Sequence, residues 1–364
     1  MISARIFEQT LGDFLEPIAP FLADGRVSEV MINRFDRIYI ERGGQLERTG
    51  AVFSSEHALV AAIKNVAQFV GRLVDGERPI LDARLPDGSR VAVMLPPAAR
   101  AGACMSIRRF PKERLTVDRL LEIGALTPTC AEFLRACVVG KRNLVVAGGT
   151  GSGKTSMLNA LSSFVPEGER ILVLEDSSEL QLQQEHAVYM ESIPPDARGR
   201  GAVTIRDLLR ASLRMRPDRI VVGECRGGEA LDLIQAMTSG HGGSLSTVHA
   251  TYPHDTMGRL ETLCLMSNIA LPLGALRAQI GSAVNIIVQT NRLNDGSRKI
   301  THVAECRGLD ANGQYVLSML YEWMPRGVDA GSGKLLGDLV ALGERPTFAD
   351  ELVAKGIELP EEMR

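Results

Sequence analysis

The stretch that decides the fold reads Asn143-Leu-Val-Val-Ala147, then Gly-Gly-Thr-Gly-Ser-Gly-Lys-Thr over Gly148–Thr155, then Ser156-Met-Leu-Asn-Ala-Leu161. Its middle part matches the pattern G-x-x-x-x-G-K-[S/T] in full. The apolar run before it predicts a buried strand, and the residues after it predict a helix. Glycines let the loop turn its backbone N–H groups toward phosphate oxygens, and the helix N-terminus adds a positive dipole end. The stretch therefore predicts a site for a nucleoside triphosphate.

Each residue of this loop has an expected part in binding. Lys154 is expected to reach the β- and γ-phosphates as a compact charge and to act in catalysis, and the Thr155 hydroxyl is expected to ligate Mg²⁺. The sequence has no N-K-x-D motif, which reads guanine, so ATP is the expected nucleotide. The residues predicted to bind it here are Gly148, Gly149, Thr150, Gly151, Ser152, Gly153, Lys154 and Thr155.

Two apolar strand candidates after the loop end in carboxylates, Glu175 and Glu224. The carboxyl ends of parallel strands are where an open α/β sheet places its ligand. A carboxylate there accepts a proton from an attacking water or holds a metal-bound water. Gly223 stands where a second nucleotide motif usually has Asp, so metal contact through water is expected. Glu224 is the predicted base and Glu175 the alternative; both are candidate metal residues, and the alternative for either one is an ordinary helix cap.

Two histidines flank a further apolar strand candidate, Ser244–His249. His249, at its end, is predicted to sense the γ-phosphate through one hydrogen bond and is a candidate catalytic residue. The alternative for His249, and for His241, is that the ring caps buried backbone. A zinc site with His254 is disfavoured, because no thiol or carboxylate stands at a suitable spacing.

Arginines recur in two groups. Arg206, Arg210 and Arg214 share one predicted helix face, which indicates either a solvated face or a subunit interface. The second group lies on neighbouring strand candidates near the N-terminus. An arginine supplied by a neighbouring domain or subunit stabilises transition-state charge in nucleotide hydrolysis. The candidates of this second group are Arg84, Arg90 and Arg108.

Length and composition limit the class of protein. The 364 residues suit two domains, and 45% hydrophobic with 23% charged residues is typical of a globular protein with a core. The net charge of −3 argues against a protein devoted to nucleic acid. Six cysteines without a C-x-x-C pair indicate reduced thiols. No signal peptide and no run of ~20 apolar residues is evident, so a cytoplasmic protein that meets membranes only through partners is expected.

The rhythm of the sequence predicts where the domains divide. Residues 1–110 predict a small α+β domain, residues 111–119 a linker, and residues 120–323 alternating helices and apolar strands of a parallel sheet covered on both faces. Residues 324–364 are expected to be a tail over the surface. In the first domain an amphipathic helix is predicted after a Ser54–Ser55 cap. Its apolar positions are Leu59, Ile63, Val66, Val70 and Leu73.

The predicted strands of the first domain are Val30–Ile32, Arg37–Glu41, Leu81–Leu85, Arg90–Leu95 and Cys104–Phe110, with one more after Gly43-Gly44. Those of the second are Asn143–Ala147, Arg170–Leu174, Arg219–Gly223, Ser244–His249 and Val284–Gln289, followed by a terminal hairpin of Arg298–Arg307 and Gln314–Trp323.

Together these motifs resemble the secretion ATPase superfamily of type II and type IV systems. The phosphate loop, an acidic box at Leu174-Glu175-Asp176, a Walker B segment over Val222–Arg226 and a His box over Gly240–Ala250 carry the resemblance. The sequence is most similar to CpaF-type ATPases of Tad (Flp) pili. That similarity rests on Thr204-Ile-Arg-Asp-Leu-Leu-Arg through Thr247-Val-His249-Ala, on Leu81–Arg90 and on Gly-Ile-Glu-Leu-Pro ending at Pro360, and it covers the chain from about residue 20 onward.

The resemblance implies an α/β fold: a RecA-like P-loop NTPase domain preceded by a smaller α+β, PAS-like domain. It implies a homohexamer with nucleotide between the two domains and with Arg84, Arg90 and Arg108 as phosphate contacts. It also implies a motor docked on an inner-membrane platform protein, at the inner face of the cytoplasmic membrane, that drives pilus assembly. The alternatives are a type IV secretion or conjugation ATPase, a RecA-type nucleic-acid translocase and a nucleotide-gated scaffold.

Overall fold

The computed structural model describes residues 14–109, 115–195, 199–331 and 333–363. These residues form two compact units that divide between residues 113 and 114. The division falls inside the predicted linker at residues 111–119, of which 111–114 lie outside the described ranges, as does Phe110.

The first unit contains a six-stranded antiparallel sheet. Its strands lie in the order β3-β2-β1-β6-β5-β4, and all neighbours are antiparallel. The strand bounds are β1 Val27–Arg34, β2 Arg37–Arg42, β3 Gln45–Arg48, β4 Ile80–Arg84, β5 Arg90–Met94 and β6 Cys104–Arg108. A short 3-10 turn, Glu16–Ile18, and helix α1, Ala19–Ala23, precede the sheet. The strands predicted from the sequence are confirmed: three starts coincide with the prediction, and the other ends differ by at most three residues, except that the predicted end at Phe110 lies outside the described residues.

Helix α2, Glu56–Phe69, joins the same apolar core as this sheet. The predicted cap, Ser55, accepts a hydrogen bond at 3.1 Å from the backbone N–H of the third helical residue. The predicted apolar face extended too far, because the helix ends at Phe69 and the Leu73 side chain is 71% exposed. The predicted residues that are buried are Leu59, Ile63 and Val66.

The second unit contains a nine-stranded mixed sheet in the order β15-β14-β13-β12-β7-β11-β10-β8-β9. The six strands from β12 to β9 are parallel, and β13, β14 and β15 extend the β12 side with antiparallel pairs. The strand bounds are β7 Leu144–Gly148, β8 Ile171–Glu175, β9 Ala187–Glu191, β10 Arg219–Cys225, β11 Leu245–His249, β12 Ile286–Arg292, β13 Arg298–Leu309, β14 Tyr315–Val328 and β15 Leu335–Ala341.

Eight helices accompany this sheet among the described residues, and a 3-10 turn, Glu361–Met363, follows them. Their bounds are α3 Val117–Glu122, α4 Pro128–Val139, α5 Lys154–Ser162, α6 Ile205–Ser212, α7 Glu229–Thr238, α8 Pro253–Leu265, α9 Leu273–Ala283 and α10 Ala349–Ala354. Leu144 and Val146 of β7 belong to one apolar core with α4 and α5, whereas Val145 and Ala147 belong to a second core with α6 to α9. The predicted parallel sheet with both faces covered is confirmed, and the fold is α/β with a RecA-like core. No described helix has the length and apolar character to cross a bilayer.

One buried amide fixes the start of β7. The Asn143 side chain, 4% exposed, donates from Nδ2 to the carbonyl oxygens of Ala283 at 2.7 Å and Met237 at 3.4 Å. Its Oδ1 accepts from the backbone N–H groups of Gly243 at 2.8 Å and Ser244 at 3.0 Å. These bonds tie β7 to the segment entering β11 and to the ends of α7 and α9. They help to align the strands whose carboxyl ends carry the predicted site.

The segment after residue 323 differs from the predicted surface tail. Strand β14 continues to Val328, β15 pairs with it antiparallel, and the side chains of Phe348 and Leu352 are buried in the core beside α4. Strand β9 was also missing from the prediction. Gly337 and Asp338 interrupt the apolar residues of β15, so its pattern does not indicate a strand from the sequence alone.

Candidate active site

The phosphate loop connects β7 to the first turn of α5. Gly153 precedes the helix with φ +93°, a left-handed conformation that side-chain-bearing residues rarely adopt. Lys154 opens the helix, is 7% exposed, and donates from Nζ to the carbonyl oxygen of Gly149 at 2.9 Å. Thr155 follows it and is half-buried. The lysine and the hydroxyl therefore lie at a helix N-terminus, where the dipole favours a bound anion.

The predicted residues Lys154, His249 and Glu224 form one chain of polar contacts. Nζ of Lys154 lies 3.4 Å from Nδ1 of His249, whose Nε2 lies 3.1 Å from a carboxylate oxygen of Glu224. Adjacent parallel strands bring them together: β11 lies between β7 and β10, and His249 pairs in register with Gly148. The His249 ring does not cap buried backbone, which was the alternative interpretation, because its two nitrogens face the side chains of Lys154 and Glu224. The buried Nδ1 of His241 has no hydrogen-bond partner among the described residues.

Glu224 lies among cationic groups. The second oxygen of its carboxylate accepts from the guanidinium of Arg226 at 3.0 Å. Burial alone would raise the pKa of Glu224, but the Arg226 hydrogen bond and the charges of Arg226, His249 and Lys154 outweigh it and lower the pKa. Burial and the Lys154 charge lower the pKa of His249, which favours the neutral ring. Glu224 is therefore ionised at neutral pH and able to accept a proton.

Glu175 ends the neighbouring strand but has different partners. Its side chain is 4% exposed, and one carboxylate oxygen accepts from the backbone N–H groups of Glu179 at 2.8 Å and Leu180 at 2.9 Å. Burial raises its pKa to about 7, although those two hydrogen bonds act in the opposite direction. A Cβ on Gly223 would lie 2.9 Å from Cγ of Glu175. Glycine at that position thus leaves room for the Glu175 side chain to lie against the backbone of β10.

The arginine stripe on α6 has partners within its own unit. Arg206 and Arg210 both donate to the carboxylate of Asp232 on α7, at 2.7 and 2.8 Å, and Arg206 also donates to the carbonyl oxygen of Ser267 at 2.8 Å. Arg214 is exposed. The first two arginines therefore join α6 to α7, which neither of the two sequence interpretations included.

Arg84, Arg90 and Arg108 lie side by side in the first unit. They pair directly across β4, β5 and β6, Arg84 with Arg90 and Arg90 with Arg108, so their side chains share one face of the sheet. Glu29 of β1 continues the row beside Arg108. Like charges directly opposite one another on a sheet repel, and a bound anion would relieve that repulsion.

The family model of the Type II/IV secretion system protein matches residues 13–324. The chain belongs to this family. Type IV secretion system protein PtlH of Bordetella pertussis is 36% identical over 314 residues, which cover 78% of this chain and 91% of that protein. Conjugal transfer protein TrbB of Rhizobium radiobacter is 33% identical over 313 residues, which cover 85% and 91%. The X-ray structure of the ATPase DotB of Legionella pneumophila is similar in fold, with a TM-score of 0.55, 19% identity and coverage of 85% and 83%.

Two arginines that contact the site were not among the predicted site residues. Arg226 holds Glu224, and Arg298 of β13 donates from Nε to the carbonyl oxygen of Gly151 in the phosphate loop at 2.7 Å. Arg226 stands two residues after Glu224, so its contact with that carboxylate could have been predicted from the sequence. Arg298 is 147 residues from Gly151, so this contact could not be predicted without knowing the order of the strands.

Proposed function

We propose that this chain, an ATP hydrolase, is a motor subunit that drives proteins through a membrane platform of a type II/IV secretion machine. The observation that carries the proposal is the contact chain from the loop lysine, Lys154, through His249 to the ionised Glu224. It joins the group that would hold the transferred phosphate to a group that can accept a proton from water.

In this proposal the loop amides and Lys154 bind and orient the triphosphate, and Glu224 accepts the proton of the attacking water. His249 lies between these two groups and would register a change at the γ-phosphate through its contact with Lys154. The hydrogen bond and charge of Arg226 help to hold the pKa of Glu224 below its ordinary value, which favours the ionised carboxylate. Glu175, bonded to the backbone at residues 179 and 180, would shape the adjoining loop and serve as the alternative base.

The residues present fit a magnesium ion that is bound together with the nucleotide. No group of three or more His, Cys, Asp or Glu that could hold a metal occurs in the described part of the chain. Mg²⁺ commonly takes one or two protein ligands, waters and substrate phosphates, and the Thr155 hydroxyl beside Lys154 suits that mode. Glu175 and Glu224 would contact the metal through water. The ion would supply charge neutralisation of the phosphates.

A phosphate-release assay on the purified full chain tests the hydrolase. Lys154→Ala should abolish hydrolysis, because the phosphates lose their main positive charge. Glu224→Gln should keep MgATP binding and lower kcat by about 10² or more, the usual contribution of a general base. Glu175→Gln should lower kcat less than Glu224→Gln. Normal turnover in the Lys154 variant would end the proposal, and a larger loss in the Glu175 variant would reassign the base.

The proposal includes the three arginines of the first unit as phosphate contacts. Their row on one face of the sheet supports this role, because three adjacent guanidinium groups favour a polyanion. Arg90→Ala, at the centre of the row, should raise the Kd for MgATP. If the variant in which Arg84, Arg90 and Arg108 are all replaced by Ala has an unchanged Kd for MgATP, these arginines do not contribute to nucleotide binding.

For the cargo we propose pilin subunits of a Tad (Flp) pilus, moved by a homohexamer at the inner face of the cytoplasmic membrane through an inner-membrane platform protein. The resemblance of residues 204–250 to CpaF-type ATPases supports this assignment. The names of PtlH and TrbB support the second candidate, type IV secretion or conjugal transfer. Deletion of the gene followed by electron microscopy of filaments and by transfer assays separates the two: loss of transfer with normal piliation would exclude the pilus.

A nucleic-acid translocase of RecA type is disfavoured by the net charge of −3. Stimulation of hydrolysis by DNA, with a steep dependence on salt, would favour it instead. A nucleotide-gated scaffold would bind MgATP but release little phosphate in the assay above.

A further inference from the structure

The hairpin that joins β12 to β13 lies against the phosphate loop. Its two end residues, Arg292 and Arg298, pair directly across the strands, so both side chains leave the same face of the hairpin. Nε of Arg298 donates to the carbonyl oxygen of Gly151 at 2.7 Å, and Cδ of Arg298 lies 3.4 Å from where a Cβ on Gly153 would stand. A guanidinium nitrogen of Arg292 lies 4.0 Å from the corresponding point on Gly151.

The same hairpin holds the loop at a second place. The hydroxyls of Thr290 and Ser152 lie 3.1 Å apart, and Thr290 Oγ1 also donates to the carbonyl oxygen of Ala147 at 3.1 Å. Thr290 and Ser152 are both buried, 2% and 3% exposed. The loop is therefore supported from one side at neighbouring residues, by a hydroxyl pair at residue 152 and by a guanidinium at residue 151.

The turn of the hairpin is itself tied down. Asp295 accepts from the backbone N–H of Ser297 at 2.9 Å and from its hydroxyl at 2.6 Å. The other oxygen of the Asp295 carboxylate accepts from the backbone N–H of Leu335, the first residue of β15, at 2.8 Å. Arg298 follows this turn directly, so its position is set by strand pairing on one side and by the Asp295 bonds on the other.

We propose that Arg298 is a positioning residue for ATP: by holding the Gly151 carbonyl, it orients the next N–H for phosphate binding. A trans peptide points its C=O and its N–H in opposite directions. The Arg298 bond therefore turns the N–H of Ser152 away from the arginine. That N–H donates to the carbonyl oxygen of Gly149 at 3.4 Å, a long hydrogen bond that a phosphate oxygen would replace. The guanidinium also adds positive potential beside the phosphates. This inference rests on the proposed ATP hydrolase.

The test compares Arg298 variants with a matched control on the full chain. Lys299 is the next residue and donates from Nζ to a different backbone carbonyl, that of Gly124, at 2.8 Å. Arg298→Ala should raise the Kd and the KM for MgATP about tenfold, the usual effect of one charge-assisted hydrogen bond, with kcat changed less than about twofold. Arg298→Lys should recover most of the affinity, because an ammonium can donate to the same carbonyl. Lys299→Ala should keep the wild-type Kd.

A double-variant cycle distinguishes positioning from a general loss of stability. Asp295→Ala should raise the Kd by a smaller factor and add little in the Arg298→Ala background, because both act through one guanidinium. An unchanged Kd in Arg298→Ala would overturn the inference, and so would a fall in kcat at constant KM. If Arg298→Ala does not fold, Arg298→Lys and Arg298→Gln take its place. A wild-type Kd for MgATP in Arg298→Gln, like that expected of the control Lys299→Ala, would overturn the role of the charge-assisted bond. If the wild-type protein does not bind MgATP, the proposed function itself is wrong.

Discussion

At the scale of single residues, Glu175 and Glu224 show how two carboxylates on adjacent strands acquire different chemistry. Glu224 accepts from Arg226 and faces His249, so its pKa is held low despite partial burial. Glu175 is more deeply buried and has two backbone N–H groups as partners, so its pKa rises to about 7. A group with a pKa near neutrality titrates in the range where cells and assays operate.

We expect this titration to appear in the stability of the nucleotide- and magnesium-free protein. The ordinary pKa of Glu175 is 4.5 and the folded value is about 7, so the folded state binds more protons between these values. Its contribution to the free energy of unfolding is present below about pH 4.5 and is lost as the pH rises through about 7. Glu175→Gln keeps the acceptor oxygen without the charge. Its free energy of unfolding, relative to wild type, should therefore increase by about 2 to 3 kcal/mol between pH 5 and pH 8.

Urea denaturation at several pH values measures this difference directly. A variant-to-wild-type difference that stays constant with pH would contradict the raised pKa of Glu175. His302→Gln is a suitable control, since burial lowers the pKa of that histidine and its pH dependence has the opposite sign.

Much of the site at this scale could be predicted, but its bonding could not. Glu175 and Glu224 were found because each follows a run of apolar residues in a β pattern. The bond between Glu224 and His249 depends on β10 lying beside β11, and strand order is not encoded in the local pattern. Arg298 reaches the loop only because β12 pairs with β7 and β13 with β12.

At the scale of elements, α6 and α7 are joined by one carboxylate. Asp232 is 8% exposed and accepts from Arg206 and Arg210, whose side chains are 25% and 55% exposed. Exposed arginine stripes usually contribute little to stability, but a nearly buried acceptor shared by two donors is costly to remove.

We therefore expect Asp232→Ala to lower the free energy of unfolding by about 2 kcal/mol, since two guanidinium groups lose the carboxylate they share. Arg210→Ala should cost less than about 1 kcal/mol, because its side chain is half exposed. Arg214→Ala, at the exposed arginine just after α6, is the control. Urea denaturation measures all three. If the stripe serves a subunit interface instead, Arg210→Ala should change the sedimentation coefficient and leave the stability of the monomer unaltered.

At the scale of the whole molecule, the C-terminal segment is part of the second unit's core. Arg142 pairs with Glu351 on α10, and its guanidinium lies 4.8 Å from the centre of the Phe348 ring. Leu352 is fully buried, whereas its neighbour Val353 is 54% exposed. A surface tail would show no such difference between consecutive residues.

Leu352→Ala should lower the free energy of unfolding by about 2 to 4 kcal/mol through the cavity it leaves. Val353→Ala should change it by less than about 0.5 kcal/mol. Thermal or urea unfolding measures both. If both substitutions change the free energy of unfolding by less than about 0.5 kcal/mol, residues 349–354 lie on the surface and not in the core.

The overall architecture could be predicted where local pattern and fold agree. The apolar runs of β7, β8, β10, β11 and β12 indicated a parallel sheet covered on both faces, and the loop before α5 fixed its functional edge. Strands β9 and β15 carried no such pattern: β9 is only partly buried, with Glu191 at its end, and β15 contains Gly337 and Asp338. Their strand structure comes from pairing with a neighbour rather than from their own residues.

These two strands are also the outer edges of the nine-stranded sheet. An open edge presents unpaired backbone groups that can recruit a strand from another chain, the first step of aggregation. Each edge carries a carboxylate: Glu191 ends the five-residue β9, while Asp338 lies within β15 and forms an ion pair with Arg326. Edges that carry charged side chains are unfavourable templates for intermolecular strand addition. The weak strand pattern that hid β9 and β15 from prediction therefore also disfavours strand addition between copies of this chain.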